Sequence, residues 1–544
     1  MFILALLFYF VSFIFLIFYV LFILKNQKIL WLLSLLIAQG FLALNIQLFA
    51  SYTLYGSDVY GENYIVANTL WNGRINFQNA FGAALYDSVL IPLVCMVSGI
   101  SPLVFYKAIY IVFLILYTSI LYLILNILCK NKINLKLSMI YPIFITFTLL
   151  DSLRFGIALV SYLALLLLII RVITKQYESY SGFLAILLIS SSLTLNYYTL
   201  GLNSLILLLL LCFILFFSKG VNDALKKAFF LTTAIALISS FLYVFYISLI
   251  LSQHILNTID SLLRYSFITE ERVEYTLGGQ GFSLYIRSLV KYFPHAVSLL
   301  GIALGLYTLA FEKEDRSRVI STKNNGKVLI WLSFGLILTI AATFVRTGFT
   351  YAILVFIPLF TLGIYNVYSY FTSLPTIKVR KLLTLALITA LLVTMFLGPT
   401  NLVDTLLRLD TSSPVLDKTS VYRGGLSTEI SDYYMLKFLL INLPGNKLVD
   451  LYSDTKISNS IISVASDLYP NQLTYEPTSI NINPYALLTF LKNKNIKGML
   501  ILSTYNVLTG DVIIPQGVVA IYLNDILVNY NLVYNGPSLI LSRS

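Results

Sequence analysis

Long apolar runs separated by short polar stretches dominate residues 1–398, among them Phe2–Leu24 and Val328–Val345. A run of roughly 20 apolar residues is enough to cross the hydrocarbon core as a helix. On this pattern spans are predicted near 2–24, 29–50, 103–128, 137–150, 152–170, 181–196, 199–217, 228–251, 292–311, 328–345, 349–372 and 382–398. The runs at 137–150 and 181–196 are short for a crossing. The apolar stretch 86–99 is shorter still and is read as an interfacial or re-entrant segment. Beyond 398 the pattern changes. Strand-like runs occur at Leu448–Tyr452, Gly498–Leu502, Val512–Ile514 and Ser538–Ser542, with helical periodicity at 456–468 and 484–494. The predicted fold class is a polytopic α-helical membrane protein of about 12 transmembrane helices over residues 1–398, followed at 399–544 by a C-terminal extracytoplasmic α/β domain. That domain, from about residue 420, is expected to sit over the outer loop 51–102.

Composition supports a membrane class. Hydrophobic residues make up 58% of the 544 and charged residues only 11%, where soluble domains carry about 25% charged residues. The net charge of +12 is unevenly placed: 26 Lys and Arg face 13 Asp and Glu before residue 399, against 10 and 11 after it. The basic excess therefore belongs to membrane loops and argues orientation, not nucleic-acid binding. With the N-terminus outside, the inner loops hold 18 cations, among them Lys25, Lys28, Lys132, Lys136, Arg316 and Arg380, and the outer side holds 8. This is the positive-inside bias, and it places both termini outside the cytoplasm in the cell membrane. The first run has no basic residue before it, so it reads as a retained span and not as a signal peptide. Three cysteines, Cys95, Cys129 and Cys212, lie in or beside apolar segments and suggest neither a disulfide framework nor a zinc site.

Two outer loops, 51–102 and 252–291, hold the candidate chemistry. In the first, Asp58 and Glu62 stand four residues apart, on one face of any helix formed there. Two carboxylates at the membrane surface suit a general base and a ligand for substrate or for a divalent metal ion. The same residues also fit a plain helix start, with Ser57 or Asp58 capping a helix through Val59–Trp71 and Glu62 in solvent. Asp87, Asp151, Arg154, Asn196, Tyr197 and Arg346 fall at outer ends of apolar segments, where snorkelling makes a polar group inexpensive. The second loop carries His254, Arg264, Arg272 and Arg287, and guanidinium groups suit bidentate contacts to a lipid phosphate. Arg154, Arg264, Arg287, Arg346, Tyr197 and His254 are the candidate phosphate-side residues. No phosphate-binding loop, dinucleotide fingerprint or Gly-x-Ser-x-Gly elbow occurs.

The run Gly56-Ser57-Asp58-Val59-Tyr60-Gly61-Glu62-Asn63-Tyr64 resembles the first outer loop of a functionally unassigned archaeal multi-pass membrane family, itself similar to the C superfamily of glycosyltransferases. The stretches Ala84–Pro92, Val104–Tyr110, Ser192–Tyr198 and Leu532–Leu541 resemble it as well. Asn196 stands where those relatives tend to have His, and the acidic loop follows the second span instead of the first. The resemblance implies an enzyme that takes sugar from a polyprenyl-phosphate donor on the extracytoplasmic face and gives it to a glycan or protein acceptor. It also implies that Asp58 is the acceptor-facing base and Glu62 its companion. Three other readings fit the same pattern: a transporter or flippase of lipid-linked glycan, a glycan polymerase or ligase, and a non-catalytic membrane scaffold. Span interiors nearly free of charge count against ion-coupled transport.

Overall fold

The computed structural model describes residues 2–27, 29–45, 57–73, 84–129, 131–144, 153–175, 180–217, 223–244, 282–311, 357–400, 430–442, 449–453, 457, 464, 480–482, 498–509, 511–514, 517–520, 531–535 and 538–543. The helices of the bundle are α1 (Phe2–Leu24), α2 (Leu30–Asn45), α3 (Ser57–Asn72), α4 (Ile91–Ser98), α5 (Pro102–Leu128) and α6 (Lys132–Ser138). They continue with α7 (Leu153–Lys175), α8 (Tyr180–Asn196), α9 (Tyr198–Phe217), α10 (Asp223–Leu242), α11 (Phe282–Phe311), α12 (Ile357–Ser373) and α13 (Ile377–Thr400). Among the described residues, Leu7–Leu24, Pro102–Leu128, Phe155–Val172 and Asp223–Leu242 are long and apolar enough to cross a membrane, and shorter apolar helices accompany them. The count of about twelve spans is not reached on these residues, and the run 328–345 lies outside them.

Most helices coincide with the apolar runs, and the exceptions have local causes. The run expected to span from 137 is instead short α6, a turn, and a 3-10 helix at Tyr141–Phe144, with 145–150 outside the described residues. Pro142 cannot donate to a continuing helix, and its carbonyl accepts from the buried Gln39 Nε2 at 3.1 Å. Thr118 Oγ1 donates to the other end of that amide at 2.9 Å, so Gln39 joins α2, α5 and the 3-10 turn. Asn131 caps α6, and Asn134 donates to Ser369 and Thr372 on α12. The segment is therefore tied down by polar groups that a lipid-facing helix would lack. A second difference is that α11 starts at Phe282, so the end of the expected loop 252–291 is helical, and Pro294 lies inside the helix.

The segment 86–99 forms a π-helical turn at Tyr86–Leu90 that runs into α4. Gly99, in a left-handed conformation at φ 69°, closes α4. Together they are too short to cross a bilayer, and their lipid-like side chains, such as Met96 and Val97, are exposed. Directly after, Ser101 caps α5 by accepting from the Val104 N–H, and Pro102 occupies the first helical position.

In the core, α1 packs on α2, α5 on α7, α7 on α8, and α11 on both α12 and α13. The α11–α12 crossing is close enough for main chain to meet main chain: a Cβ on Gly301 would lie 1.8 Å from the Gly363 carbonyl oxygen. Small residues allow such approach where no water drives helices together. Asn366 Nδ2 adds a buried hydrogen bond to the Gly301 carbonyl at 3.0 Å.

The C-terminal part combines α14 (Ile430–Asn442) with a five-stranded sheet in the order β2 (Ile480–Ile482), β1 (Val449–Ser453), β3 (Gly498–Leu502), β7 (Leu539–Arg543), β6 (Asn531–Asn535). Strands β2, β1 and β3 run parallel, and β7 and β6 join antiparallel. A short α15 (Thr504–Thr509) follows β3, and β4 (Asp511–Ile514) pairs with β5 (Gly517–Ala520) in a separate ribbon. Of the helical periodicity at 456–468, Ile457 and Val464 are described; both are helical and buried. The stretch 484–494 lies outside the described residues. Met435, Leu436, Leu439 and Leu440 of α14 bury against Leu451, Ile501 and Ile540 of the sheet, and Ala67 of α3 belongs to the same cluster. The tail thus meets α3.

Asp432 fixes α14 to the sheet. Its buried carboxylate accepts from the Thr504 N–H at 2.7 Å and from Thr504 Oγ1 at 2.9 Å, at the start of α15. Asp432→Ala should lower the stability of the tail by about 1–2 kcal/mol. Faster limited proteolysis of the tail, with the bundle unchanged, is the expected readout.

Candidate functional site

Helix α3 carries Val59, Glu62, Asn63 and Val66 at the three- and four-residue spacing that sets them on one face, and all four are buried. Val59 and Val66 pack with Ile91 of α4 and with Tyr106, Tyr110 and Phe113 of α5, while Ile157 and Val160 of α7 pack against the same cluster. Glu62 is held inside this contact, where its side chain is fully buried. The reading in which Glu62 faces solvent is therefore corrected, although the helix that reading required does form.

A second carboxylate joins the first. Asp87, in the π-helical turn, is also fully buried. The snorkelling expected of it does not occur. The Tyr86 hydroxyl is held well above its usual range, first by burial and then by the charges of Asp87 and Glu62. Glu62 and Asp87, from two elements that pack together, thus both act on the Tyr86 hydroxyl. Burial pushes the Cys95 thiol on α4 up to about 11, so it stays protonated and is no nucleophile.

The candidate residues from the sequence divide into groups. Asp58 occupies the first turn of α3, one turn before Glu62, and Arg154 the first turn of α7, beside Phe155. Tyr197, half-buried between α8 and α9, sets its ring edge-on to Phe155 at 5.3 Å. Because Ile157 and Val160 reach the α3–α5 cluster, the start of α7 links Arg154 and Tyr197 to the same end of the bundle as the carboxylates. Asn196 donates back to Ser192 of its own helix, at 2.8 Å to the carbonyl. Arg287 stands apart in the second turn of α11, whose main partners are α12 and α13. His254, Arg264 and Arg346 lie outside the described residues. The other histidine, His295, is bonded through Nδ1 to the Tyr141 hydroxyl.

No protein-family model matches the chain, and no curated protein matches it in sequence. Its fold is similar to that of the archaeal oligosaccharyltransferase AglB from Archaeoglobus fulgidus, solved in complex with an inhibitory peptide and a dolichol-phosphate. The TM-score is 0.50 at 10% identity, over 88% of this chain and 69% of that one. The likeness is one of fold. A likeness over 88% of the chain covers more than residues 1–398 contain, so it extends into the C-terminal part.

The donor atoms present decide which ion would suit the site. Among the described residues no group of three or more His, Cys, Asp and Glu side chains gathers. Glu62 and Asp87 offer carboxylate oxygens only. That pair fits a hard divalent cation such as Mg²⁺, which keeps several waters and shares its coordination with substrate phosphates. It does not fit zinc, which favours three or four nitrogen and sulfur ligands. Asp87, Tyr86 and Tyr106 were missed as site residues in the sequence. The available signal was a charge at the head of an apolar segment too short to span, since such a charge is costly unless it is buried for use.

Proposed function

We propose that this protein is a membrane glycosyltransferase that moves sugar from a polyprenyl-phosphate-linked donor to an acceptor on the extracytoplasmic face. The observation that carries the reading is the buried Glu62–Asp87 pair, on a fold similar to that of AglB, at the bundle end where the tail meets α3. Burying two carboxylates on two packed elements opposes folding, so a site that keeps both is a candidate for chemistry. In this reading Asp58 meets the acceptor first, at the start of α3, and Glu62 and Asp87 complete the acidic group. One carboxylate takes the acceptor's proton as its oxygen or nitrogen attacks the sugar. Arg154 and Tyr197 face the donor phosphate from α7 and from the α8–α9 junction. A divalent ion bound to Glu62 and Asp87 would supply positive charge to the phosphate oxygens.

Photo-cross-linking tests the placement of the donor. A polyprenyl-phosphate sugar with a diazirine beside its phosphate should label peptides from 57–72, 84–98 or 153–160. Labelling confined to the basic loops around residues 132 and 380 would contradict it. The extracytoplasmic face is part of the proposal, and single cysteines in a cysteine-free background check it. A cysteine replacing exposed Tyr434 of α14 should react with an impermeant reagent in intact cells, and one replacing Asn324 only after permeabilisation. The reverse result would put Asp58 and Glu62 in the cytoplasm.

A further inference from the structure

Tyr106 is a fully buried residue in the second turn of α5, and its hydroxyl makes no hydrogen bond within the described structure. A buried phenol without an acceptor costs about 1–3 kcal/mol, and native structures rarely leave one so. Its ring packs in the cluster formed by Val59, Val66 and Ile91, which places it against the α3 face that bears Glu62 and against Ile91, four residues along the chain from Asp87. The hydroxyl is therefore a buried donor without a hydrogen-bond partner, in the cluster that packs on the Glu62 face of α3.

We propose that Tyr106 is a substrate-contacting residue whose phenol donates a hydrogen bond to the acceptor's attacking oxygen, and that the acceptor is accordingly a hydroxyl group. This rests on the glycosyltransferase reading above. A hydroxyl can donate its proton to a carboxylate while its oxygen accepts from a phenol. An amide nitrogen can do only the first, because its lone pair is delocalised. In the step that follows, a lone pair on the acceptor oxygen forms the new bond to the anomeric carbon. The bond from that carbon to the donor's phosphate oxygen breaks, and its electron pair leaves with the phosphate. The acceptor's proton passes to the carboxylate. The phenol holds the oxygen in line and exchanges no proton.

The test uses full-length protein in lipid with a polyprenyl-phosphate sugar and two acceptors, one bearing a free hydroxyl and one a carboxamide. Tyr106→Phe keeps the ring and removes the donor. It should lower kcat on the hydroxyl acceptor about 10- to 100-fold, with donor KM and thermal unfolding unchanged. Tyr110→Phe, one turn deeper on α5, should leave kcat as it is. Should Tyr106→Phe misfold, fluorotyrosine at 106 retains the hydroxyl and the fold but makes the phenol more acidic. The alkaline limb of the kcat profile should then move to lower pH. Full activity of Tyr106→Phe alongside an inactive Glu62→Gln would overturn the inference and leave the enzyme reading intact. An equal loss in Tyr110→Phe, or preferred use of the carboxamide acceptor, would overturn it too. Wild-type protein with no transfer to either acceptor would remove the reading on which the inference stands.

Discussion

Glu62→Gln should reduce sugar transfer by about 10²- to 10⁴-fold, the usual contribution of a positioned proton acceptor, while the protein still inserts, folds and binds donor. Gln matches Glu in volume and in hydrogen-bonding reach but cannot take a proton at neutral pH. The site is fully buried, so the substitution also removes a charge that desolvation disfavours, and thermal stability should hold or rise. These two expectations run in opposite directions. A carboxylate kept for structure would show the reverse, with stability lost and turnover retained. Asp58→Asn completes the comparison. Asn is as good a helix cap as Asp, so a cap at the start of α3 predicts no change, and a working carboxylate predicts a loss comparable to that of Glu62→Gln. Turnover and thermal unfolding measured on the same purified samples decide the matter.

Gly301→Leu should prevent α11 from seating on α12 and remove most of the monodisperse protein. A Cβ at 301 would lie 1.8 Å from the Gly363 carbonyl oxygen and 2.5 Å from its carbon. The obstacle is main chain, so no rotamer change relieves it. Overpacking costs typically about 1–3 kcal/mol where side chains can yield, and here the helices must separate, breaking the Asn366 bond to the Gly301 carbonyl as they do. Gly40 on α2 is the matched control, because a Cβ there meets nothing within 4 Å. Gly40→Ala should therefore be neutral or slightly stabilising. Size-exclusion profiles and melting curves in one detergent would show the difference. Equal behaviour of the two variants would refute the close α11–α12 crossing.

The apolar runs were sufficient to place α1, α5, α7 and α8 because a lipid-exposed helix needs about 20 apolar residues and little else. They misplaced the 137–150 segment because what shapes it is tertiary: Gln39, Asn134 and Tyr19, which donates to the Lys136 carbonyl, hold it from other helices. In the tail, β3 was legible as an unbroken apolar run, Gly498–Leu502. Strands β2, β5 and β6 were not, since three to five residues with flanking Asn or Gly carry too little alternation to separate from loop. At the site, spacing alone put Asp58 and Glu62 on one face. It could not show that Glu62 turns inward, because that depends on Val59 and Val66 meeting Tyr106 across 40 or more positions of sequence. Asp87 was visible as a residue but not as a partner, since its burial follows from a π-helical turn that leaves no periodic trace.

The central claim is that the chain transfers sugar, and the direct measurement is the appearance of labelled product. Purified protein in proteoliposomes is given a polyprenyl-phosphate-linked radiolabelled sugar with Mg²⁺ and a pool of glycan and peptide acceptors. Water-soluble label is then followed over time. The expected result is label moving from lipid to acceptor in proportion to enzyme, lost in Glu62→Gln. Label that stays lipid-linked with every donor and acceptor, or that is transferred equally well by Glu62→Gln, would contradict it.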